Sequence, residues 1–222
     1  MNQTEKIKTE ILAIGCEMLD KGLVAGTWGN ISSRIPGTEL IAVTPSGKGY
    51  REITTADVVV VDRAGTIIEG SFKPSSELPL HLAIYNARSD IQAIIHTHSV
   101  FASACAVAHK SIPPIIEDLV QLAGGSVDVA AYALPGTDTL AQNVVLALGE
   151  KNAVLMANHG VVGCGLSLAE GMMACQLVEK AAQIFIYANQ IGGSQALSHE
   201  DIEVMHKFYI ETYRQRQQGR KI

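Results

Sequence analysis

Residues 91–99 constrain this chain most, because an apolar run ends there in two closely spaced histidines. Residues 91–95 are typical of a buried strand, and His96 and His98 follow directly. Side chains at positions i and i+2 of a strand point to the same face, so the two imidazoles project together. Such a pair can grip a divalent cation, and neutral imidazole suits Zn²⁺ and its neighbours in the first transition row. The simpler alternative is two histidines without a ligand, and the motif alone does not decide between the two readings.

Two further residues extend this candidate metal site. His159 follows the apolar residues 153–157 and is predicted at the end of another buried strand, while Glu77 lies near the start of a helix predicted over residues 76–88. Three imidazoles and a carboxylate complete a coordination shell. Glu77 and His81 form a rival pair, because they stand four residues apart on one helix face. The remaining histidines are interpreted as ordinary polar residues: His109, His199 and His206.

Composition favours a well-buried globular protein and excludes several classes. Of the 222 residues, 47% are apolar and 18% charged, which leaves little polar surface and suggests subunit contacts. The net charge of −5 argues against nucleic-acid binding. We find neither an apolar stretch long enough for a membrane span nor a signal-peptide pattern, and the four isolated cysteines are predicted to be buried thiols. We therefore expect a cytoplasmic protein.

Strand and helix patterns alternate along the middle of the chain, and short strand patterns dominate its first third. Strands are predicted at residues 30–34, 39–43, 58–61, 66–68, 93–98, 127–131, 153–157 and 160–164. Helices are predicted at residues 4–21, 76–88, 99–108, 118–122, 137–148, 167–190 and 198–215. We expect one domain over residues 1–222, with three α/β/α layers around a mostly antiparallel or mixed sheet. The last helix is expected to contribute to a subunit interface.

Three polar clusters have the composition of anion-binding loops. Residues 26–30 and 44–47 combine glycine amides with hydroxyls, and Ser75 and Ser76 lie at a helix N-terminus, where free N–H groups favour negative charge. Turn formation is the ordinary explanation for each cluster, with Ser76 as an N-cap. The candidate ligand Glu77 directly after Ser76 makes phosphate binding the preferred interpretation there. No P-loop pattern is present, so a nucleotide is not implied.

The combined motifs resemble the class II aldolase family of L-fuculose-1-phosphate aldolase and L-ribulose-5-phosphate 4-epimerase. They are Gly26-Thr-Trp-Gly-Asn30, Thr44-Pro-Ser-Gly47, Pro74-Ser-Ser-Glu77, His96-Thr-His98 and Asn158-His-Gly160. The resemblance runs over nearly the whole chain, from residue 7 to residue 213. It implies Zn²⁺, with Mn²⁺ or Co²⁺ as alternatives, held by Glu77, His96, His98 and His159, and it reduces His81 to helix packing. It also implies that the phosphate of a sugar phosphate is bound by Gly29, Asn30, Ser46, Gly47, Ser75 and Ser76.

The same resemblance implies a C4 homotetramer whose active sites lie at subunit interfaces, completed by the C-terminal region of a neighbour. Tyr213 is similar to a catalytic tyrosine of that region, and Tyr209 is the alternative. Asp118 stands where the aldolase has a tyrosine and the epimerase a catalytic aspartate, whereas the epimerase has an aspartate at the position of Glu77. The chain thus mixes features of both enzymes. Without the resemblance, an N-cap role for Asp118 is equally reasonable.

The reaction implied is reversible cleavage of a ketose 1-phosphate, such as L-fuculose 1-phosphate or a 5-deoxyribulose 1-phosphate, to dihydroxyacetone phosphate and an aldehyde. A metal-stabilised enediolate carries the negative charge, Glu77 shuttles a proton at carbon, and a tyrosine or Asp118 serves the aldehyde oxygen. The nearest alternative is a 4-epimerase that uses the same retro-aldol step. A lesser alternative is a metal-free interaction domain of the same fold, as in the adducin head, which predicts loss of the histidines that this chain retains.

Overall fold

A computed structural model describes residues 2–217, which form one eight-stranded sheet with helices on both faces. The strands are β1 (Asn30–Arg34), β2 (Ile41–Val43), β3 (Val59–Val61), β4 (Ile67–Glu69), β5 (Ala93–Thr97), β6 (Val129–Ala130), β7 (Ala153–Met156) and β8 (Gly160–Gly165). The α-helices are α1 (Gln3–Asp20), α2 (Leu78–Ala87), α3 (Val100–Val107), α4 (Glu117–Ala123), α5 (Asp138–Leu148), α6 (Leu168–Gln190), α7 (His199–Phe208) and α8 (Arg214–Gln217). A 3-10 helix (Thr55–Asp57) precedes β3, and a π-helix (Tyr209–Tyr213) joins α7 to α8.

The strand order is β4-β3-β2-β1-β5-β8-β7-β6, and only β6 and β7 pair in parallel. Two-residue alternation separates the faces of the sheet, so that Ile95 and Val161 pack toward one side and Ile94 and Val162 toward the other. Helices α1, α3 and α6 cover the first face, whereas α2 and α5 cover the second. The predicted α/β/α architecture with a mixed, mostly antiparallel sheet is therefore confirmed.

Local sequence signals explain where the first helix begins and ends. The Asn2 side chain accepts a hydrogen bond from the N–H of Glu5, which caps α1. Gly22 adopts a left-handed conformation (φ 67°) just beyond the helix, and the N–H of Leu23 returns to the carbonyl of Met18. The left-handed turn at Gly22 therefore ends the helix just after its C-cap, Lys21. Among residues 2–217, no helix combines the length and apolarity that crossing a bilayer requires.

Candidate active site

Three imidazoles lie together at the end of β5, one of the central strands of the sheet. His96 is the fourth residue of β5 and His98 follows the strand, while His159 lies in the turn between β7 and β8. Because β8 pairs with β5, with Val162 opposite His96, this turn lies beside the end of β5. Ring nitrogens of the three histidines lie within 4.8 Å of one another. The prediction that His159 ends a strand is wrong, since β7 stops at Met156 and the turn carries the imidazole instead.

The hydrogen bonding of His96 fixes which of its nitrogens is free. Its Nδ1 lies 2.9 Å from the carbonyl oxygen of Val161 and must donate to it, so Nε2 keeps its lone pair. That Nε2 is 2.8 Å from Nε2 of His98. Burial lowers the pKa of His96 to about 4 and also lowers the pKa of His98. Both rings are therefore neutral near pH 7, the state in which imidazole binds metal.

Glu77 brings a carboxylate to the three histidines from the start of α2. It is the N-cap residue of α2, and its backbone N–H donates to Oγ of Ser75. Its Oε2 lies 3.2 Å from Nε2 of His96, and its Oε1 lies 3.4 Å from Nε2 of His159. Burial raises the pKa of Glu77, but its electrostatic interactions with His96 and His159 and the hydrogen bond from Asn30 together outweigh burial and leave the pKa below its usual value. The helix predicted from residue 76 begins two residues later, at Leu78, so the alternative role of Ser76 as an N-cap is excluded.

The spacing between neighbouring donor atoms in this cluster is close to the spacing of zinc ligands. Ligand atoms around zinc stand about 3.3 Å apart, given Zn–N distances of about 2.0–2.1 Å. The three separations between donor atoms given above run from 2.8 to 3.4 Å. Oε1 of Glu77 and Nδ1 of His159 are buried without a hydrogen-bond partner. Uncompensated burial of polar atoms is costly, so the cluster has the donor set and the unmet demand of a metal site.

A cavity of about 260 Å³ opens beside this cluster, with Glu77, His98 and His159 in its wall. All six residues predicted to bind phosphate also line it: Gly29, Asn30, Ser46, Gly47, Ser75 and Ser76. Trp28 and Pro135 line the cavity as well, and no role was predicted for either. The ring centroids of Trp28 and His98 lie 5.8 Å apart. The structure thus brings three of the four predicted metal ligands and all six predicted phosphate contacts to one cavity, and the fourth ligand, His96, is buried against Glu77 and His98.

Backbone hydrogen bonds join two of the loops that form this cavity. The N–H of Ser46 donates to the carbonyl of Lys73 at 2.9 Å, and the N–H of Ser75 donates to the carbonyl of Thr44 at 3.0 Å. The loop that follows β2 and the segment that precedes α2 are therefore held together by backbone hydrogen bonds. Their hydroxyls and amides face the same cavity, an arrangement suited to an anion with several oxygens.

The other predicted catalytic residues, Asp118, Tyr213 and its alternative Tyr209, do not line this cavity in their own chain. Asp118 lies in the first turn of α4, inside the helix rather than at its N-cap, and pairs with Lys180 at 2.5 Å. Tyr213 ends the π-helix and is 44% exposed. Tyr209 is buried, and its hydroxyl donates to Glu170 at 3.0 Å. Tyr213 is thus available to a neighbouring molecule, whereas the hydroxyl of Tyr209 is already engaged.

The other histidines separate into two groups. His81 is fully buried, with one ring nitrogen 2.5 Å from Oδ1 of Asn30 and the other 2.6 Å from Oγ of Ser32. Both nitrogens are occupied, so the rival Glu77–His81 metal pair is not formed. The interpretation of His81 as packing alone overlooked these hydrogen bonds. The others lie elsewhere and line no part of this cavity: His109, His199 and His206.

Comparison with known proteins gives the family. Residues 9–186 match the family described as Class II Aldolase and Adducin N-terminal domain. The chain is 36% identical over 203 residues to a 5-deoxy-D-ribulose 1-phosphate aldolase of Bacillus thuringiensis, covering 91% of this chain and 95% of the relative. It is 35% identical over 204 residues to an L-fuculose phosphate aldolase of Escherichia coli, covering 91% and 94%.

Solved structures agree with this assignment. A structure named L-fuculose 1-phosphate aldolase superposes with a TM-score of 0.90 at 36% identity, covering 92% of this chain and 96% of that one. YgbL from Klebsiella pneumoniae, described as a putative aldolase/epimerase/decarboxylase, superposes with a TM-score of 0.83 at 28% identity, covering 92% and 99%. The sequence match and the shared fold confirm the predicted resemblance: this chain belongs to the class II aldolase family.

Proposed function

We propose that this protein is a class II aldolase that reversibly cleaves a ketose 1-phosphate into dihydroxyacetone phosphate and an aldehyde. The observation that carries this proposal is one cavity lined by Glu77, His98 and His159, which lie beside the buried His96, and by six candidate phosphate contacts. Relatives named for 5-deoxyribulose 1-phosphate and L-fuculose phosphate support substrates of this class. We place the protein in the cytoplasm, because its four cysteines are free thiols, three of them buried.

His96, His98, His159 and Glu77 would hold the cation, for which we propose Zn²⁺ because three imidazoles and one carboxylate suit it. Mn²⁺ and Co²⁺ are the alternatives. When bound, the cation supplies a Lewis acid that stabilises the negative charge developing as the carbon–carbon bond breaks. The chain prepares this site by keeping His96 neutral and its Nε2 unprotonated through the hydrogen bond to Val161.

Substrate positioning falls to the loops. Ser46, Gly47, Ser75 and Ser76, together with Gly29 and Asn30, would hold the phosphate by hydroxyl and amide donors. Because the backbones of these loops are joined, the phosphate is held at a fixed place relative to Glu77. Binding energy from the phosphate, which does not react, then orients the reacting carbons.

Two proton transfers complete the reaction. In the synthetic direction Glu77 takes a proton from the carbon that attacks the aldehyde, and a second residue donates a proton to the aldehyde oxygen; in cleavage both transfers reverse. We propose Tyr213 as that second residue, with Asp118 or Tyr209 as alternatives. None of these three residues is part of the cavity in its own chain. Each would therefore act in the active site of a neighbouring chain of a C4 homotetramer.

A substrate panel tests this function. The purified protein is supplied with Zn²⁺ and given L-fuculose 1-phosphate, a 5-deoxyribulose 1-phosphate or L-ribulose 5-phosphate, and the products are identified by mass spectrometry and NMR. We expect dihydroxyacetone phosphate and an aldehyde from a ketose 1-phosphate. Epimerised ribulose 5-phosphate without released aldehyde would favour the 4-epimerase, the second candidate, which the aspartate at position 118 supports. Inactivity on all three substrates, with no zinc bound, would favour an interaction domain.

A further inference from the structure

A continuous row of buried hydrogen bonds leads from Glu77 into the protein interior. Nδ2 of Asn30 lies 2.7 Å from Oε2 of Glu77, and Oδ1 of the same amide lies 2.5 Å from Nε2 of His81. Nδ1 of His81 is 2.6 Å from Oγ of Ser32, which is 2.9 Å from the hydroxyl of Tyr85. All five side chains are buried. We call this set the Glu77–Tyr85 relay.

The chemistry of the end groups fixes the direction of every bond in this relay. An ionised carboxylate only accepts, so the NH₂ group of Asn30 must face Glu77 and its oxygen must face His81. That oxygen also only accepts, so His81 carries a proton on Nε2. Because burial lowers the pKa of His81 to about 3, the ring is neutral and presents a lone pair at Nδ1. Ser32 therefore donates to His81, and Tyr85 donates to Ser32. A single tautomer of His81 satisfies all members at once.

The relay ties two layers of the fold together behind the cavity. Asn30 and Ser32 are alternate residues of β1 and share one face, while Glu77, His81 and Tyr85 recur every four residues along one face of α2. Burying so many polar groups between a strand and a helix is unfavourable unless all are satisfied, and apolar residues would pack there at lower cost. The polar row therefore calls for a role beyond packing.

We propose that His81 is a positioning residue, which as its Nε2–H tautomer holds the amide of Asn30 so that Asn30 in turn orients the carboxylate of Glu77 toward the three histidines. This inference rests on the proposed function, in which Glu77 is both a metal ligand and the group that moves a proton. His81 itself contacts neither the cation nor the substrate. Its effect reaches the reaction through one intervening side chain.

The tautomer provides a test that is independent of activity. Protein labelled with ¹⁵N at histidine is studied metal-free by long-range ¹H–¹⁵N NMR, and the signals of His81 are assigned from their absence in His81→Gln. We expect a protonated Nε2 and an unprotonated Nδ1. A proton on Nδ1 would reverse the bond to Ser32, leave Asn30 without a donor and overturn the proposal.

Two substitutions of His81 distinguish the effect of its hydrogen bonds from the effect of its size. Leucine fills the space but cannot donate, so His81→Leu should lower the affinity for Zn²⁺ by about 10–100-fold, as losses beyond the coordinating residues usually do. Glutamine can donate to Asn30 and accept from Ser32, so His81→Gln should recover most of that loss. Affinity is measured by competition with a chromophoric chelator, and kcat and KM are measured in parallel. We expect kcat to fall more than KM rises.

Tyr85→Phe supplies the matched control, because it removes the outermost hydroxyl and leaves the bonds from His81 to Glu77 in place. It should weaken Zn²⁺ binding less than His81→Leu does. Equal losses in the two variants, or a His81→Gln variant no better than His81→Leu, would reduce the relay to general core stability and overturn the proposal. A wild-type protein that binds Zn²⁺ but cleaves no ketose 1-phosphate would remove the proposed reaction, while these affinities would still decide the role of His81.

Discussion

Glu77 is the residue whose surroundings are hardest to explain by folding alone. Its side chain is buried, Oε2 receives one hydrogen bond from Asn30, and Oε1 receives none. An unsatisfied buried polar group costs about 1–3 kcal/mol, and more when it is charged. Three imidazoles beside that carboxylate explain why the cost is tolerated, since a shared cation would satisfy all four groups.

Replacing Glu77 by glutamine should cost turnover without costing the fold. Glutamine keeps the shape and still accepts from Asn30, but it lacks the charge and the basicity for moving a proton. General acid–base catalysis contributes about 10²–10⁴-fold, so kcat of Glu77→Gln should fall by at least that factor. Steady-state kinetics measure the loss, and circular dichroism checks the fold. A variant with a near-wild-type rate would remove Glu77 from the proton-transfer role.

Gly29 occupies a position where a side chain has no room. Its φ is +78°, and an added Cβ would lie 2.6 Å from the carbonyl oxygen of His96. Gly29→Ala should combine a left-handed strain of about 1–2 kcal/mol with an overpacking cost of about 1–3 kcal/mol. Gly37 is the matched control, because it has the same φ of +78° and nothing within 4 Å of an added Cβ.

Urea unfolding of the two alanine variants measures this difference. We expect Gly29→Ala to lose more free energy of unfolding than Gly37→Ala and also to bind Zn²⁺ more weakly, because the clash displaces the backbone of His96. Equal losses of stability in both variants would show that backbone strain alone accounts for the glycine.

At the scale of elements, an ion pair holds the loop that contains Ser46 and Gly47. Nζ of Lys48 donates to Oδ1 of Asp57 at 2.8 Å and lies 3.9 Å from the ring centroid of Phe72. Asp57 also accepts hydrogen bonds from the N–H and the hydroxyl of Thr54, the N-cap residue of the 3-10 helix. The hydrogen bond from Lys48, followed by those from Thr54, lowers the pKa of Asp57 to about 2.

Asp57→Asn should therefore raise KM for the sugar phosphate and lower stability near neutral pH. Because the folded pKa is below the ordinary value of 3.8, the stabilising effect is complete above about pH 4 and is lost as the pH falls toward 2. The difference in denaturation midpoint between wild type and variant should narrow over that window. Asp20→Asn, which breaks the exposed pair with Arg51, is the control and should change little. A difference that does not depend on pH would contradict this account.

Apolar periodicity predicted most elements to within a few residues, because elements such as β1 and the long α6 depend on local signals. What failed depended on tertiary context. Helix α2 was predicted to start at Ser76 but starts at Leu78. His159 was predicted to end a strand but lies in the turn after β7. The hydrogen bonds of His81 could not be predicted, because Asn30 and Ser32 lie 51 and 49 residues away in the chain. Packing of α2 against β1 brings these residues together.

In the molecule as a whole, the C-terminal segment formed by α7 and the π-helix is the part that packs least against the rest of its own chain. Helix α7 contains no buried residue, and four apolar or aromatic side chains on α7 and the π-helix are at least 41% exposed: Val204, Phe208, Ile210 and Tyr213. Exposed apolar groups gathered on one segment indicate contact with another surface. The proposed homotetramer would place this segment over the cavity of a neighbour.

Mixed subunits test that arrangement. Glu77→Gln and Tyr213→Phe should each be nearly inactive alone, because each lacks one of the two proton-transfer groups. If those groups come from different chains, coexpressed mixtures should recover activity well above the sum of the separate variants. Recovery is measured on copurified tetramers with distinct tags, and light scattering gives their mass. Mixtures with no gain would mean that both groups serve the same chain.

The proposed function depends on one cation bound by three imidazoles and Glu77. A crystal structure of the zinc-supplied protein, with anomalous diffraction recorded at the zinc edge, tests it most directly. We predict a single strong peak per chain, about 2.0–2.2 Å from nitrogen atoms of His96, His98 and His159 and from an oxygen of Glu77. A peak at another place, or none between these side chains, would contradict the account.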